Sequence, residues 1–159
     1  MYLLKLQGLS ALLGCYLMIA VGNASATLGQ ILVTQQSPGI SIKRTMTPNA
    51  ISPGAYTVSE STLESGTTVK EFIDAQGMVF AVQWVGPVMP ELDDLLGTHF
   101  KTFQSHTKQM RSQGQFRTAV NIARSDVVVR SNGRMRNYFG SAYVPALVPP
   151  QVNIDDILQ

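Results

Sequence analysis

The chain has 159 residues, with 12 lysines and arginines, 10 aspartates and glutamates, and a formal net charge of +2 at pH 7. This near balance excludes the strongly basic field that is typical of a nucleic-acid-binding domain. The single cysteine excludes a framework of internal disulfides, so the chain must be stabilised by burying apolar surface in one domain.

Residues 1–26 have the pattern of an export signal. Lys5 gives a positive start, the uncharged apolar run Leu9–Val21 follows, and Ala24–Ala26 has the small side chains of a cleavage site. The apolar run has 13 residues, whereas a membrane span needs about 20. We therefore expect cleavage after Ala26, and a periplasmic or secreted protein with no transmembrane segment in its mature chain.

A lipoprotein signal is the alternative interpretation of the same segment. Leu12–Cys15 resembles the box at which bacterial lipoproteins are cleaved and lipidated on cysteine, which would give a lipid-anchored structural protein. The apolar run continues past Cys15 to Val21, which favours the ordinary signal. Cleavage after Ala26 removes Lys5 and the cysteine, and it leaves 133 residues with 11 basic and 10 acidic side chains.

Residues 27–54 predict a loosely ordered arm, because prolines and glycines interrupt any period, and only residues 40–44 have the pattern of a short strand. A single α+β domain is predicted over 55–145. It begins with three strand-like runs rich in valine, threonine and aromatic residues, separated by two connectors of three residues that each end in glycine. This spacing favours two successive hairpins. The three runs cover residues 56–63, 67–74 and 78–85.

The third run is apolar on both faces and contains Trp84, so we expect this side chain to be buried between the sheet and a helix. Gly86 and Pro87 end the run and turn the chain. Apolar residues then recur at helical spacing over 90–109, which predicts the main helix. Gly97 weakens this helix, since glycine costs about 1 kcal/mol relative to alanine there.

Two or three strands are predicted after the helix, one over 116–123 and a hairpin within 126–143. Asn132-Gly133 is typical of a two-residue hairpin turn, which would pair Val129 with Arg136. That register places five side chains on one face: Val127, Val129, Arg134, Arg136 and Tyr138. The predicted fold is therefore an α+β antiparallel sheet of five or six strands packed against one main helix, in the order βββ-α-ββ(β). An extended C-terminal tail is predicted over 146–159.

Five short motifs lie in the predicted domain: FAVQWVGP at 80–87, PEL at 90–92, LLG at 95–97, GRMR at 133–136 and GSAYVP at 140–145. Together they resemble a family of short exported proteins of Gram-negative bacteria that is described only as a domain of unknown function. The resemblance covers most of the mature chain. It implies export and a shared fold, and it leaves the function open, with no site residues to transfer.

Metal and cofactor sites are not expected. His99 and His106 are seven residues apart, which separates them by about 10.5 Å along a helix axis and is too far for one ion. Glu91, Asp93 and Asp94 could act as paired carboxylates, but a solvated helix start that favours the helix dipole is the simpler interpretation.

The side-chain types of a serine hydrolase are all present: Ser105, Ser141, His99, His106 and Asp126. The sequence lacks the G-x-S-x-G elbow that exposes such a nucleophile. A small periplasmic hydrolase that acts on an envelope polymer or ester is therefore the alternative function. Trp84 could be a platform for stacking a sugar, although an aromatic ring in an apolar strand is usually part of the core.

Charge is unevenly distributed along the domain. Residues 99–136 contain eight basic and one acidic side chain, whereas residues 55–98 contain seven acidic and one basic. The simpler interpretation is that the two halves neutralise each other when they fold together. The alternative is that the second half presents an anion-binding face.

The expected function is that of an exported, non-catalytic binding or assembly accessory of the envelope, without a cofactor. Its partner would be an anionic envelope component or another exported protein, and not nucleic acid. Two arginines beside an aromatic ring suit a phosphate or carboxylate, so Arg134, Arg136 and Tyr138 are the candidate ligand-binding residues. Structural roles are predicted for five residues: Trp84, Gly86, Pro87, Asn132 and Gly133.

Overall fold

A computed structural model of the chain describes residues 27–31, 45–48, 56–115 and 119–158. The predicted signal peptide and most of the predicted arm, including the possible strand at 40–44, lie outside these ranges. The described residues form an antiparallel sheet of seven strands and a main helical segment. The strands are β1 (Thr45–Pro48), β2 (Tyr56–Thr62), β3 (Thr68–Asp74), β4 (Val79–Gly86), β5 (Val120–Ala123), β6 (Val128–Arg134) and β7 (Asn137–Tyr143). The helices are α1 (Leu92–Leu96), α2 (Phe100–Ser112) and α3 (Ile154–Ile157), with short 3-10 helices at Gly97–His99 and Pro145–Leu147.

The predicted fold class is confirmed. Three strands, the main helical segment and three further strands follow one another in the predicted order, and β1 joins the sheet as a seventh strand. The strands lie in the order β1-β2-β3-β4-β7-β6-β5, and every neighbouring pair is antiparallel. The hairpin β6–β7 therefore packs beside β4, which lies at the centre of the sheet.

Both predicted hairpins between β2 and β4 are present. Gly66 and Gly77 have φ angles of 80° and 85°, which are left-handed conformations that glycine adopts without strain. The backbone amide of Gly66 donates to the carbonyl of Leu63 over 2.9 Å, and the amide of Gly77 donates to the carbonyl of Asp74 over 3.0 Å. The glycine that ends each connector therefore closes the turn, as the sequence predicts.

The predicted continuous helix over 90–109 is interrupted at Gly97. This residue has a φ of 50°, and it separates α1 from α2 by a single turn of 3-10 helix. A Cβ atom at this position would overlap the side chain of Thr27. Glycine is therefore required at position 97 for two reasons: the left-handed backbone and the close approach of the N-terminal segment.

We expect Gly97→Ala to lower the free energy of unfolding by about 1 to 3 kcal/mol, because the new methyl group must displace Thr27. Gly114→Ala is the matched control, since Gly114 also has a positive φ of 73° but nothing within 4 Å of the position of a Cβ atom. Urea unfolding of both variants measures the difference. Equal losses would show that the backbone conformation alone, and not the contact with Thr27, requires glycine at position 97.

One face of the sheet, here called the helix face, is covered by the main helical segment and by residues 27–31. Trp84 is fully buried there, in a core that also contains Leu28 and Leu96. The amide of Leu28 donates to the carbonyl of Leu95 over 3.0 Å. The start of the predicted arm is thus part of the core, because Leu28 supplies apolar contacts that the main helical segment alone does not make.

Among the described residues, the other face, here called the open face, is covered only at one end, by the C-terminal segment 145–158. Six apolar side chains of this segment pack on a cluster around Tyr56 and Phe72: Leu147, Val148, Val152, Ile154, Ile157 and Leu158. Burial raises the pKa of the Tyr56 hydroxyl. The predicted extended tail instead forms two short helices, because its apolar residues are spaced to cover this cluster.

Candidate functional site

The β6–β7 hairpin turns at Met135-Arg136, so the register that we predicted from Asn132-Gly133 is wrong. Gly133 pairs with Tyr138, whose ring occupies the space that a Cβ atom on Gly133 would need. The same register pairs Val129 with Ala142, both of them buried. Arg136 takes the turn position with a φ of 65°, and it is the one non-glycine residue with a positive φ among those described. Packing across the sheet thus outweighs the local turn preference of Asn132-Gly133.

This register separates the predicted ligand-binding residues. Tyr138 pairs with Gly133 and points to the helix face, whereas Arg134 belongs to β6 and alternates to the open face. Arg136 lies in the turn between the strands. The predicted shared face of Arg134, Arg136 and Tyr138 is therefore wrong, while their part in binding stays a prediction.

Among the described residues, the two candidate serines of the alternative hydrolase lie on different elements. Ser141 lies on β7, and Ser105 lies on α2, where its hydroxyl donates to the carbonyl of Lys101 over 2.8 Å. A hydrogen bond from Arg124 and, as a smaller cause, the charge of His99 hold the pKa of Asp126 below its usual value, and this carboxylate is exposed. No observation on these residues favours a nucleophile beside a base.

The acidic residues at the start of α1 are close together but exposed. Ligand atoms of Glu91, Asp93 and Asp94 lie within 4.8 Å of one another. Because Asp93 and Asp94 occupy the first turn of α1, their charges favour its positive end, as expected from the sequence.

A row of polar side chains crosses the open face. The residues are direct neighbours on six successive strands, from β2 to β5: Glu60, Lys70, Gln83, Ser141, Arg130 and Asn121. Strands lie about 4.8 Å apart, so the row extends for about 24 Å across the sheet. It gives a line of hydroxyl, amide and charged groups that runs perpendicular to the strands.

An apolar pair lies directly beside this row. Val85 and Phe139 are neighbours on β4 and β7, two residues along from Gln83 and Ser141. Val85 is 51% exposed and Phe139 is 45% exposed, although both are in the middle of the sheet. The pair therefore adds exposed apolar surface to the open face directly beside the polar row.

Five residues of the row, all except Glu60, and the apolar pair line a groove of about 690 Å³, and Leu158 of the C-terminal segment also lines it. Two cations of the groove are in ion pairs: Lys70 with Glu60, and Arg130 with Asp155, each at 3.6 Å between nitrogen and oxygen. All four side chains are at least 43% exposed. Exposed pairs of this kind contribute about 0 to 1 kcal/mol, so a ligand anion can replace either acid at little cost.

Comparison with other proteins places the chain in a family but does not supply an activity. No helix among the described residues is long and apolar enough to cross a membrane. No curated protein and no solved structure matches the chain. Residues 24–157 match the model of a family described as a protein of unknown function, DUF2844. Since this match covers most of its length, the chain belongs to that family.

Proposed function

We propose that the protein is an exported, non-catalytic binding protein of the bacterial envelope, and that it binds an extended anionic saccharide in the groove of the open face. The observation that carries this proposal is the polar row, of which five residues on five successive strands line the groove and give it the length and the mixed chemistry of a site for a chain-like ligand. A basic second half of the domain, expected from the sequence, supports an anionic ligand.

Each part of the groove has a counterpart in such a ligand. Gln83, Ser141 and Asn121 carry groups that can hydrogen-bond sugar hydroxyls. The exposed ring of Phe139 suits the apolar face of a sugar. Lys70 and Arg130 can bind carboxylate or phosphate groups by charge-assisted hydrogen bonds, which are stronger than neutral ones.

The first prediction on function concerns export. We expect the protein purified from the periplasm or culture medium of a Gram-negative host to begin at Thr27 and to carry no lipid, because residues 1–26 have the order of charge, apolar run and small residues of a signal peptide. Intact mass spectrometry measures both properties. Acyl groups on Cys15 would instead support the lipid-anchored alternative, and retention of residues 1–26 in the cytoplasm would contradict export.

The second prediction tests the groove. We expect the double variant Lys70→Gln and Arg130→Gln to bind an alginate hexamer at least tenfold more weakly than the wild type, because each substitution removes a charge-assisted contact. Isothermal titration at two salt concentrations measures the affinity. The wild type should bind more weakly at high salt, and the variant should have lost most of this dependence.

The matched control is the double variant Lys108→Gln and Arg124→Gln, which removes the same charge at exposed positions that do not line the groove. We expect it to bind as the wild type does. Equal weakening in both double variants would show that net charge, and not the groove, holds the saccharide. Binding of uncharged cellohexaose as tightly as alginate would contradict the anionic ligand.

The same proposal predicts that Arg134, at the end of β6, contributes to binding of the saccharide. It lies on the open face two residues beyond Asn132, a separation of about 7 Å along the strand, and Asn132 lines the groove. Arg136 lies in the turn. The single variant Arg134→Gln should therefore weaken alginate binding more than Arg136→Gln does.

A further inference from the structure

A second cavity lies on the helix face, between α2 and the hairpin end of the sheet, and its volume is about 520 Å³. The residues that line it come from the segment before α1, from both helices and from the sheet: Met89, Leu92, Phe103, Thr107, Met110, Arg111, Gln115, Val120, Ser131, Gly133 and Tyr138. Its size is within the range of sites for small molecules.

The helix leaves this space unfilled. No residue of α2 is buried, although Phe103 and Met110 face the sheet and are half-buried. On the side of the sheet, the lining residues of β6 are Ser131 and Gly133, which are too small to fill the space between the sheet and α2. A larger residue at position 133 would overlap Tyr138, whose ring occupies the space that a Cβ atom would need. The cavity thus follows from the same register that positions Tyr138.

The walls are apolar and adaptable. Met89 and Met110 lie in the lining together with Leu92 and Phe103. Methionine side chains are unbranched and flexible, so they adjust to ligands of variable shape better than β-branched residues do. Such walls suit a flexible hydrocarbon chain more than a rigid polar molecule.

Among the described residues that line the cavity, Arg111 is the one charged side chain, and it is exposed and makes no ion pair with any residue that the structure describes. Tyr138 also lines this cavity. Since none of the described lining residues is acidic, their charge is complementary to an anion. A guanidinium and a phenol that line one cavity both carry hydrogen-bond donors for a carboxylate.

We propose that this cavity binds a medium-chain fatty acid, with its hydrocarbon chain between α2 and the sheet and its carboxylate at Arg111 and Tyr138. This site lies on the opposite face of the sheet from the groove, although Val120 and Ser131 line both, and the proposal does not depend on saccharide binding. It gives the predicted ligand-binding residue Tyr138 a partner, Arg111, on its own side of the sheet.

Titration of the full-length mature protein with decanoate, followed by calorimetry, tests this site. Thr107→Phe places a ring into the cavity from α2, and we expect it to weaken decanoate binding at least tenfold. Ser105→Phe is the matched control, because Ser105 lies on the same helix but is exposed and outside the lining. If Thr107→Phe does not fold, the smaller change Thr107→Leu fills part of the cavity from the same position instead.

The contact between Arg111 and the carboxylate of the fatty acid is tested separately. Arg111→Gln should weaken decanoate at least fivefold and leave decanol unchanged, whereas Lys108→Gln on the same helix should change neither. Equal effects of the two charge variants, or decanoate binding that survives the filled cavity, would overturn the proposal. Alginate binding should be unchanged in Thr107→Phe, so loss of one site is distinguishable from loss of the other.

Discussion

Replacing Trp84 with alanine is expected to lower the free energy of unfolding by about 3 to 5 kcal/mol. The indole is fully buried on the helix face of β4, the central strand, and it packs in the core with Leu28 and Leu96. Alanine would remove most of these contacts and leave a cavity that the rigid sheet cannot close. Because domains of this size are stable by about 5 to 15 kcal/mol, the variant should be close to unfolding at 37 °C. Urea unfolding followed by circular dichroism measures the loss.

Two controls make this result specific. Val85→Ala changes the next residue of β4, which is 51% exposed, and it should cost less than about 1 kcal/mol. Trp84→Phe keeps an aromatic ring and removes Nε1, which has no hydrogen-bond partner in the described structure. It should therefore cost much less than the alanine variant, since no hydrogen bond is lost. A loss no larger for Trp84→Ala than for Val85→Ala would show that the indole is not part of the core.

The part of the fold that depends on local pattern was predictable from the sequence. Runs with strand-like composition, with connectors that end in Gly66 and Gly77, specify the hairpins β2–β3 and β3–β4 within about 30 residues. The main helical segment followed from its apolar spacing, but the sequence predicted one continuous helix that Gly97 weakens, and not the break at this residue. The close approach of Thr27, which leaves no room for a side chain at position 97, is 70 residues away in sequence and leaves no local signal.

The register of β6–β7 was not predictable from its own sequence. Asn132-Gly133 has the composition of a two-residue turn, but Gly133 is required opposite the ring of Tyr138. A glycine that makes room for an aromatic neighbour and a glycine that forms a turn look the same in one sequence. The wrong register then placed Arg134 on the strand of Tyr138, and hence on the wrong face.

The candidate groove depends on the order of the strands. Lys70 and Arg130 belong to the same polar row although they are 60 residues apart, because β7 and β6 follow β4 in the sheet. The alternation of polar and apolar residues within each strand is visible in the sequence. Which polar residues become neighbours is decided by pairing between strands, and this pairing depends on packing against the helices and the C-terminal segment.

Gly140 on β7 gives the second large expected effect. It pairs with Trp84, and a Cβ atom there would overlap the indole ring and lie 2.6 Å from the carbonyl oxygen of Arg130. Gly140→Val should therefore lower the free energy of unfolding by about 3 kcal/mol, at the upper end of the cost of overpacking, because both neighbours are fixed by the sheet. Urea unfolding measures it.

A double-mutant cycle with Trp84→Leu separates the two causes of this loss. The smaller leucine leaves room beside position 140, so Gly140→Val should cost about 1 to 2 kcal/mol less in that background than in the wild type. The part of the cost that remains comes from the backbone of β6, since the carbonyl of Arg130 does not move with the side chain. Purely additive losses would mean that the indole does not require a glycine opposite it. Glycine would then be required at position 140 only because the backbone of β6 leaves no room for a side chain there.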